Sequence, residues 1–352
     1  MPELRVAVVG AGAVGGYIGG KLAAAGQNVL LIDSWVAHIE KIRRDGLRIT
    51  EPGGSVTVRV DALHLSDVQS LIRKPLDLAL ICTKSYDTAW AAMMIRPYLS
   101  ATGCVVSVQN SLNEEDIAAA VGWERTLGCI ASTISVVLPQ AGEVSRVRTP
   151  GGAFYTVFRV GEAHGRVTPR AARIVELLSA VDSARVTTNL WGERWTKLSA
   201  NTITHGLLGA TGLDNTHVYV GRGKIHRLGV KLGGEAVAVG RAHGYEIGTI
   251  LGISADDWYD AGIRDDAAAL QRVQDGLTAW MATLLEPSHS SVGRDVMRGR
   301  RSEIDFTNGL VADQGAEAGV PAPTHAAVTE LVRRIDRGEL KPDPANVEHL
   351  PA

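Results

Sequence analysis

The run Gly10-Ala11-Gly12-Ala13-Val14-Gly15 constrains this chain more than any other feature. It follows the apolar stretch Arg5–Val9 and opens a helical pattern. Three glycines at this spacing suit a strand that turns sharply into a helix over a phosphate. The first makes the tight turn, and the second lets backbone approach a pyrophosphate seated on the helix N-terminus. The third lets helix and strand pack closely. Gly10, Gly12, Ala13, Val14 and Gly15 are therefore the candidate dinucleotide-binding residues. A glycine-rich helix packed on a sheet is the plainer account of the same pattern, but the strand–turn–helix context favours the turn. Asp33 ends the next apolar run, Leu30-Leu31-Ile32. A carboxylate there accepts hydrogen bonds from the ribose hydroxyls of NAD and repels the 2′-phosphate of NADP. Asp33 also suits the cap of a helix starting at Val36. The first basic residue after it is Lys41. NAD(H) is expected over NADP(H).

The first half of the chain alternates apolar runs with helical patterns. Strands are expected at Val6–Val9, Val29–Ile32, Leu76–Ile81, Cys104–Val108 and Thr126–Ser135. Helices are expected at Ala13–Ala25, Val36–Arg44, Asp87–Leu99 and Glu114–Val121, with another at Pro169–Leu178 before a closing strand Arg185–Thr188. Residues 141–160 read as a hairpin-type pair. Alternating strands and helices imply a parallel α/β sheet of the doubly wound, Rossmann type. From Leu190 the character changes, and helices are expected near 192–210, 224–243, 265–285, 292–299, 304–318 and 324–337. The expected organisation is an α/β domain over 1–189, an all-helical domain over 190–340 and a loose tail over 341–352, which carries three prolines.

Composition narrows the function classes. The chain has 352 residues, enough for about two domains. Lys plus Arg number 36 against 38 Asp plus Glu, so no basic excess points to nucleic acid or an anionic membrane. Cys82, Cys104 and Cys129 are odd in number and form no CxxC pair, which fits a reducing, cytoplasmic setting. The N-terminus carries no secretory pattern, and the apolar stretch 8–26 is crowded with glycine and holds Lys21, so no membrane span is expected. The ten histidines make no H-x-x-x-H pair, so no metal site is expected. No G-x-S-x-G elbow or Walker sequence occurs.

Polar residues in the helical half carry the next signal. Lys197, Asn201 and His205 stand four apart and share one helix face. Trp195, Leu198, Ile203, Leu207 and Leu208 cover much of the rest, so the helix is expected to be buried. A lysine there is costly unless paired, set in a cleft or snorkelling to solvent. Ser302-Glu303-Ile304-Asp305 reads either as a capping box or as part of a site. Ser290 and Ser291 suit a helix start. Gln109-Asn110-Ser111 follows a strand end, where parallel sheets bind ligands, although a plain turn is the alternative.

Several stretches together resemble the ketopantoate reductase (2-dehydropantoate 2-reductase) family. They are GAGAVGGYIGGKLAAAG at the start, CTKSYDT at 82–88, QNSLNEE at 109–115 and WTKLSANTITHGLLGATG at 195–212. SSVGRDVMRGRRSEIDFTNG at 290–309 and GVPAPTH at 319–325 complete the set. The pairing of W-x-K-L-x-x-N with G-R-x-x-E-I-D-x-x-N-G is far more selective than the glycine turn. The resemblance covers nearly the whole chain. It implies hydride exchange between a nicotinamide and a keto or hydroxy compound, in a cleft between a Rossmann domain and a helical one. Carried over by motif, Lys197 is the general acid, Glu303 lies near it or on a substrate hydroxyl, and Asn110 sits by the nicotinamide. Lys84 lies on the cofactor side, and Asn201, Asn215 and Ser291 bind substrate. A homodimer through the helical domain is implied as well.

The chain departs from the family pattern in several places. Asp33-Ser34 stands where an arginine is usual, His205 replaces an asparagine, and Ser111 turns the usual QNG into QNS. The segment 252–285 is longer than usual. These departures suggest an NAD-linked enzyme that oxidises a hydroxy compound in catabolism. Competing readings are an authentic ketopantoate reductase, a β-hydroxyacid dehydrogenase-like enzyme and a dinucleotide-sensing protein without turnover.

Overall fold

The computed structural model describes residues 4–152, 155–284 and 286–351. Contacts divide the chain into two compact units, Met1–Leu190 and Trp191–Ala352. In the first, β1 (Val6–Val9) passes through the glycine turn into α1 (Ala13–Ala24), and β2 (Val29–Asp33) passes into α2 (Val36–Asp45). Three short strands follow: β3 (Leu47–Glu51), β4 (Gly54–Val58) and β5 (Asp61–His64). A 3₁₀ stretch, Leu65–Arg73, leads to β6 (Leu76–Ile81), α3 (Thr88–Ile95), β7 (Leu99–Ser107) and α4 (Glu114–Val121). The unit continues with β8 (Thr126–Ala131), β9 (Val136–Gln140), β10 (Glu143–Arg146) and β11 (Phe158–Glu162). It closes with α5 (Pro169–Ser179) and β12 (Ala184–Val186).

The main sheet has eight strands in the order β12-β11-β8-β7-β6-β1-β2-β5. Neighbours are parallel except β8 and β11. Successive residues of β1 enter opposite cores. Val6 and Val8 pack with Ile18, Ile39 and Leu178 of α1, α2 and α5, whereas Ala7 and Val9 pack with Ala92, Ile95 and Ile117 of α3 and α4. Cover on both faces explains why these strands are apolar throughout rather than alternating. The winding reverses between β1 and β6, so their carboxyl ends flank the switch point where such sheets take ligands.

A smaller sheet, β4-β3-β10-β9, lies against α1. A methyl on Gly19 would come 2.3 Å from Leu31 of the main sheet, and one on Gly20 would come 2.8 Å from Ile49 of the small one. The glycines of α1 thus let one helix run tightly between two sheets. The Tyr17 hydroxyl donates to Glu51 (2.5 Å), Lys21 pairs with the same carboxylate (3.0 Å), and buried Arg146 joins Tyr17 to Asp182.

Several expectations for this unit need correction. Residues 141–160 are no hairpin. β10 pairs antiparallel with β9 in the small sheet, whereas β11 joins β8 in the main one. Ala153 and Phe154 of that stretch lie outside the described residues. The strand expected to reach Ser135 stops at Ala131, because Thr133 (φ 59°) and Ser135 (φ 44°) take left-handed conformations. The strands β3, β4 and β5 were not expected.

The second unit is helical. α6 (Leu190–Thr211) begins on the last residue of the first unit. Then come α7 (Thr216–Tyr219), α8 (Lys224–Ala242), α9 (Ala255–Ile263), α10 (Ala267–Ala282), α11 (Ser291–Met297), α12 (Asn308–Glu317) and α13 (Pro323–Asp336). Ile203, Leu207, Leu228, Leu232, Trp258, Val273, Val328 and Val332 form their common core. The single helix expected over 265–285 is α10, and α9 precedes it unforeseen; Leu285 lies outside the described residues. The helix expected over 304–318 breaks at Thr307 (ψ −96°), leaving a 3₁₀ turn, Ile304–Phe306, before α12. The tail is not loose through its described length. Asp343 N and Asn346 Nδ2 donate to the Ala210 carbonyl at 3.1 and 2.9 Å, and Val347 is fully buried. A helix end leaves carbonyls without intrahelical donors, and the tail supplies them to α6. Ala352 lies outside the described residues. No helix among those described is long and apolar enough to cross a membrane.

Candidate active site

The glycine turn sits at the switch point. Gly10 has φ 91°, and a Cβ on it would lie 2.8 Å from the Thr83 nitrogen beyond β6. A Cβ on Gly15 would lie 2.0 Å from the Gly10 carbonyl and 2.9 Å from the Cys82 side chain, so α1 starts hard against β6. A Cβ on Gly12 meets nothing within 4 Å. Gly12 caps α1 without any side-chain bond, and the first turn holds no acidic residue. These are the features of a cradle for a dinucleotide pyrophosphate: open approach over Gly12, amide donors not capped by a side chain, and a favourable dipole end. The residues present fit such a group.

Around the turn, Asp33 ends β2, and its Oδ1 accepts from the Trp35 amide at 2.9 Å. The expected alternative, a cap on α2, is only partly right: Trp35 is the cap residue, its own side chain makes no capping bond, and Asp33 bonds the amide of that cap residue. The other carboxylate oxygen of Asp33 takes no hydrogen bond among the described residues. His38 is fully buried under the turn. Gly142 N donates to its Nδ1 at 2.8 Å, so Nε2 carries the proton and donates to the Ala11 carbonyl at 2.9 Å. Burial holds this imidazole below the usual histidine range. His38 carries no motif of its own; its place on the core face of α2, beside Ile39 and Ile42, is the signal the sequence offers.

Lys84 and Asn110 follow β6 and β7. Gln109 stitches the two loops, its Nε2 lying 2.8 Å from Thr88 Oγ1 and 3.1 Å from the Thr83 carbonyl. Asn113 Nδ2 donates to the Asn110 carbonyl at 2.6 Å. The Asn110 backbone is thus fixed, while its half-buried carboxamide makes no hydrogen bond among the described residues. Ser111 has φ 73°.

In the helical unit, α6 is anchored by Trp195, whose Nε1 donates to the Ala236 carbonyl at 2.8 Å. Lys197, Asn201 and His205 lie along one face of this helix, Lys197 and Asn201 half-buried and His205 buried. The turn between Asn201 and His205 is opened by an inserted side chain. Gly206 N donates to Asn308 Oδ1 (3.0 Å) and Asn308 Nδ2 donates to the Thr202 carbonyl (3.0 Å), which is the group Gly206 would otherwise meet four residues back. Asn308 Nδ2 also lies 3.3 Å from His325 Nδ1, and His325 Nε2 is 2.9 Å from the Leu232 carbonyl. The Glu235 carboxylate accepts from the Thr324 and His325 amides, both at 3.1 Å, at the start of α13. Burial pushes Glu235 up and His325 down to about 4.

The remaining candidates separate by engagement. Asn215 exchanges bonds with Ser288: Ser288 N donates to Asn215 Oδ1 (3.0 Å) and Asn215 N to the Ser288 carbonyl (3.1 Å). It thereby holds the segment leading to α11. Ser290 caps α11, accepting from Gly293 N at 3.0 Å. Neither the Ser291 hydroxyl nor the Asn201 carboxamide makes a hydrogen bond among the described residues. Ser302 and Asp305 form no capping box; Ser302 Oγ donates to Asp336 (2.7 Å) and Asp305 pairs with Arg333 (2.6 Å). Glu303 is buried at the start of the 3₁₀ turn. No group of three or more potential metal ligands occurs among the described residues.

An open, mostly parallel sheet with a glycine cradle at its switch point, followed by a helical unit bearing a lysine helix, defines a class of nucleotide-binding two-unit proteins. The family model described as "Ketopantoate reductase PanE/ApbA" matches residues 6–156, and its C-terminal counterpart matches residues 189–336. The chain belongs to the ketopantoate reductase family, whose members use NAD(P)H. The 2-dehydropantoate 2-reductase of Mesorhizobium japonicum is 27% identical over 358 residues, covering 95% of this chain and 99% of that one. The Halobacterium salinarum enzyme of the same name is 24% identical, with 95% and 99% covered. A crystal structure of a PanE/ApbA family ketopantoate reductase from Ralstonia eutropha JMP134 superposes with a TM-score of 0.76 at 28% identity, covering 95% and 99%. A ternary structure of D-mandelate dehydrogenase with NADH and anilino(oxo)acetate shares the fold, with a TM-score of 0.75 at 20% identity over 95% and 98%.

Proposed function

We propose that this protein is an NAD-linked oxidoreductase that interconverts a small 2-hydroxy acid, or a related hydroxy compound, with its keto form. The row Lys197, Asn201 and His205 on one face of α6, in a member of this family, carries the reading. When bound, the nicotinamide exchanges a hydride with the carbon that bears the oxygen. The Lys197 ammonium stabilises charge on that oxygen and delivers its proton in reduction, and the neutral amine takes the proton in oxidation. Glu303 assists Lys197 or holds a substrate hydroxyl, and Asn110 sits by the nicotinamide and the reacting oxygen. Asn201, His205 and Ser291 bind substrate, and Asn215 shapes the same region through Ser288.

Gly10, Gly12, Ala13, Val14 and Gly15 hold the pyrophosphate, and Lys84 lies on the same side. Asp33 supports NAD over NADP, because a carboxylate at the end of β2 accepts from two ribose hydroxyls but repels a 2′-phosphate. A fold neighbour's complex with NADH is consistent with this choice. NAD use favours the oxidative, catabolic direction. The resemblance also supports a homodimer joined through the helical unit, and the odd, unpaired cysteine pattern supports a cytoplasmic setting.

The test is a screen of 2-keto and 2-hydroxy acids, ketopantoate and pantoate included, with NAD(H) and NADP(H) in parallel. The expected result is turnover with NAD(H) that falls at least about a hundredfold in Lys197→Ala while NADH affinity stays within about twofold. Response to ketopantoate with NADPH alone would establish the biosynthetic reading instead. NADH binding with no turnover on any acid, and no change in Lys197→Ala, would establish a sensor.

A further inference from the structure

We propose that the Trp35 indole, backed by the His38 imidazole, is the stacking platform for the adenine ring of the dinucleotide. The inference rests on the reading that Asp33 holds the adenosine ribose, because adenine lies one glycosidic bond beyond that sugar. Trp35 stands two residues past Asp33, tied to it by the amide–carboxylate bond of 2.9 Å. Its ring lies almost parallel to His38, with centroids 5.3 Å apart and planes 11° apart, yet the residue remains 43% exposed.

The backing ring is rigid. Both His38 nitrogens are bonded to backbone, one to Gly142 N and the other to the Ala11 carbonyl. Ala11 lies inside the glycine turn, so a single imidazole sets the spacing between the pyrophosphate cradle and the indole. An aromatic face held in place before the ligand arrives loses little freedom on binding, which is where preorganisation gains affinity. A purine is the fitting occupant, because it presents a flat π-face and stacks on an indole whatever its edge groups.

The experiment measures the affinities of NADH and ADP-ribose for the native protein and for Trp35→Ala, Trp35→Leu and Trp35→Phe, with thermal melts to confirm folding. Trp35→Leu keeps an apolar cover on His38 without an aromatic face. The expected result is a loss of about tenfold for both ligands in Trp35→Ala and Trp35→Leu, with Trp35→Phe staying within about threefold of native. ADP-ribose lacks the nicotinamide, so an equal loss for both ligands locates the contact at the adenosine end. Affinities within about twofold of native in both the Ala and Leu variants would overturn the platform, as would a Phe variant as weak as Ala. If NADPH binds the native protein more tightly than NADH, the NAD preference falls alone, and the platform is judged by the same ratios with NADPH. If neither dinucleotide binds, both readings fail.

Discussion

Ser111 occupies a backbone conformation that side chains avoid. At φ 73° it sits in the left-handed region, which costs a residue with a Cβ about 1–2 kcal/mol. The strain lies beside Asn110, whose backbone carbonyl is pinned by Asn113 and whose carboxamide stays available to a ligand. A glycine would relieve the strain but would lose more freedom on folding. Ser111→Gly is therefore expected to change stability by no more than about 1 kcal/mol, on the stabilising side. Ser111→Val adds a branched Cβ to the same conformation and is expected to cost about 2 kcal/mol or more. Urea unfolding with unchanged slopes checks both, and a Val variant as stable as the Gly variant would show that the turn relaxes freely. The positive φ was foreshadowed in the sequence only by the departure from QNG. The place of Asn110 just past β7 was legible, because the apolar run that marks the strand ends at Val108.

At the scale of elements, α6 depends on a residue far along the chain. Asn308 bridges the Thr202 carbonyl and the Gly206 amide and also meets His325, so its carboxamide is bonded through both oxygen and nitrogen. Asn308→Asp keeps the shape but removes both donated bonds, whereas Asn308→Ala leaves a gap that the α6 ladder can close by direct pairing. Both are expected to destabilise, by about 2–3 kcal/mol, with Asp no better than Ala despite its closer size. Chemical denaturation of the two variants tests the ordering, and an Asp variant near native stability would mean the donated bonds carry little. The spacing of Lys197, Asn201 and His205 made the helix face legible, because i, i+4 and i+8 need no partner to be read. The insertion of Asn308 was not legible, since it joins residues 106 apart and leaves no local periodicity. The small sheet escaped for the same reason. β3 pairs with β10, nearly a hundred residues on, and exposed β4 shows no apolar alternation to announce it. By contrast, β1, the glycine turn and α1 are adjacent in sequence, so turn chemistry and apolar pattern both mark them.

At the scale of the molecule, three buried histidines tie stability to pH. His38 lies in the first unit, His226 and His325 in the second, and all three are fully buried. Burial is the main cause that lowers each one, with Arg222 and Arg227 adding to the effect at His226. A histidine whose folded pKa lies below its unfolded value binds a proton in the unfolded chain first. Its contribution to stability is therefore full above about pH 6.5 and is lost as pH falls toward the folded value. For His325, at about 4 in the folded chain, the loss amounts to roughly 3 kcal/mol across that window. Glu235, raised by burial, works the other way, because the folded chain keeps its proton to higher pH and loses that advantage as pH rises. One carboxyl opposes three imidazoles, so acid should win. Unfolding at pH 5 is expected to take up between about one and three protons, against almost none at pH 8. Calorimetry in buffers of differing ionisation enthalpy measures that uptake directly. His325→Asn should lower the uptake at pH 5 by close to one proton, and an unchanged uptake in that variant would mean the imidazole is already protonated in its buried place.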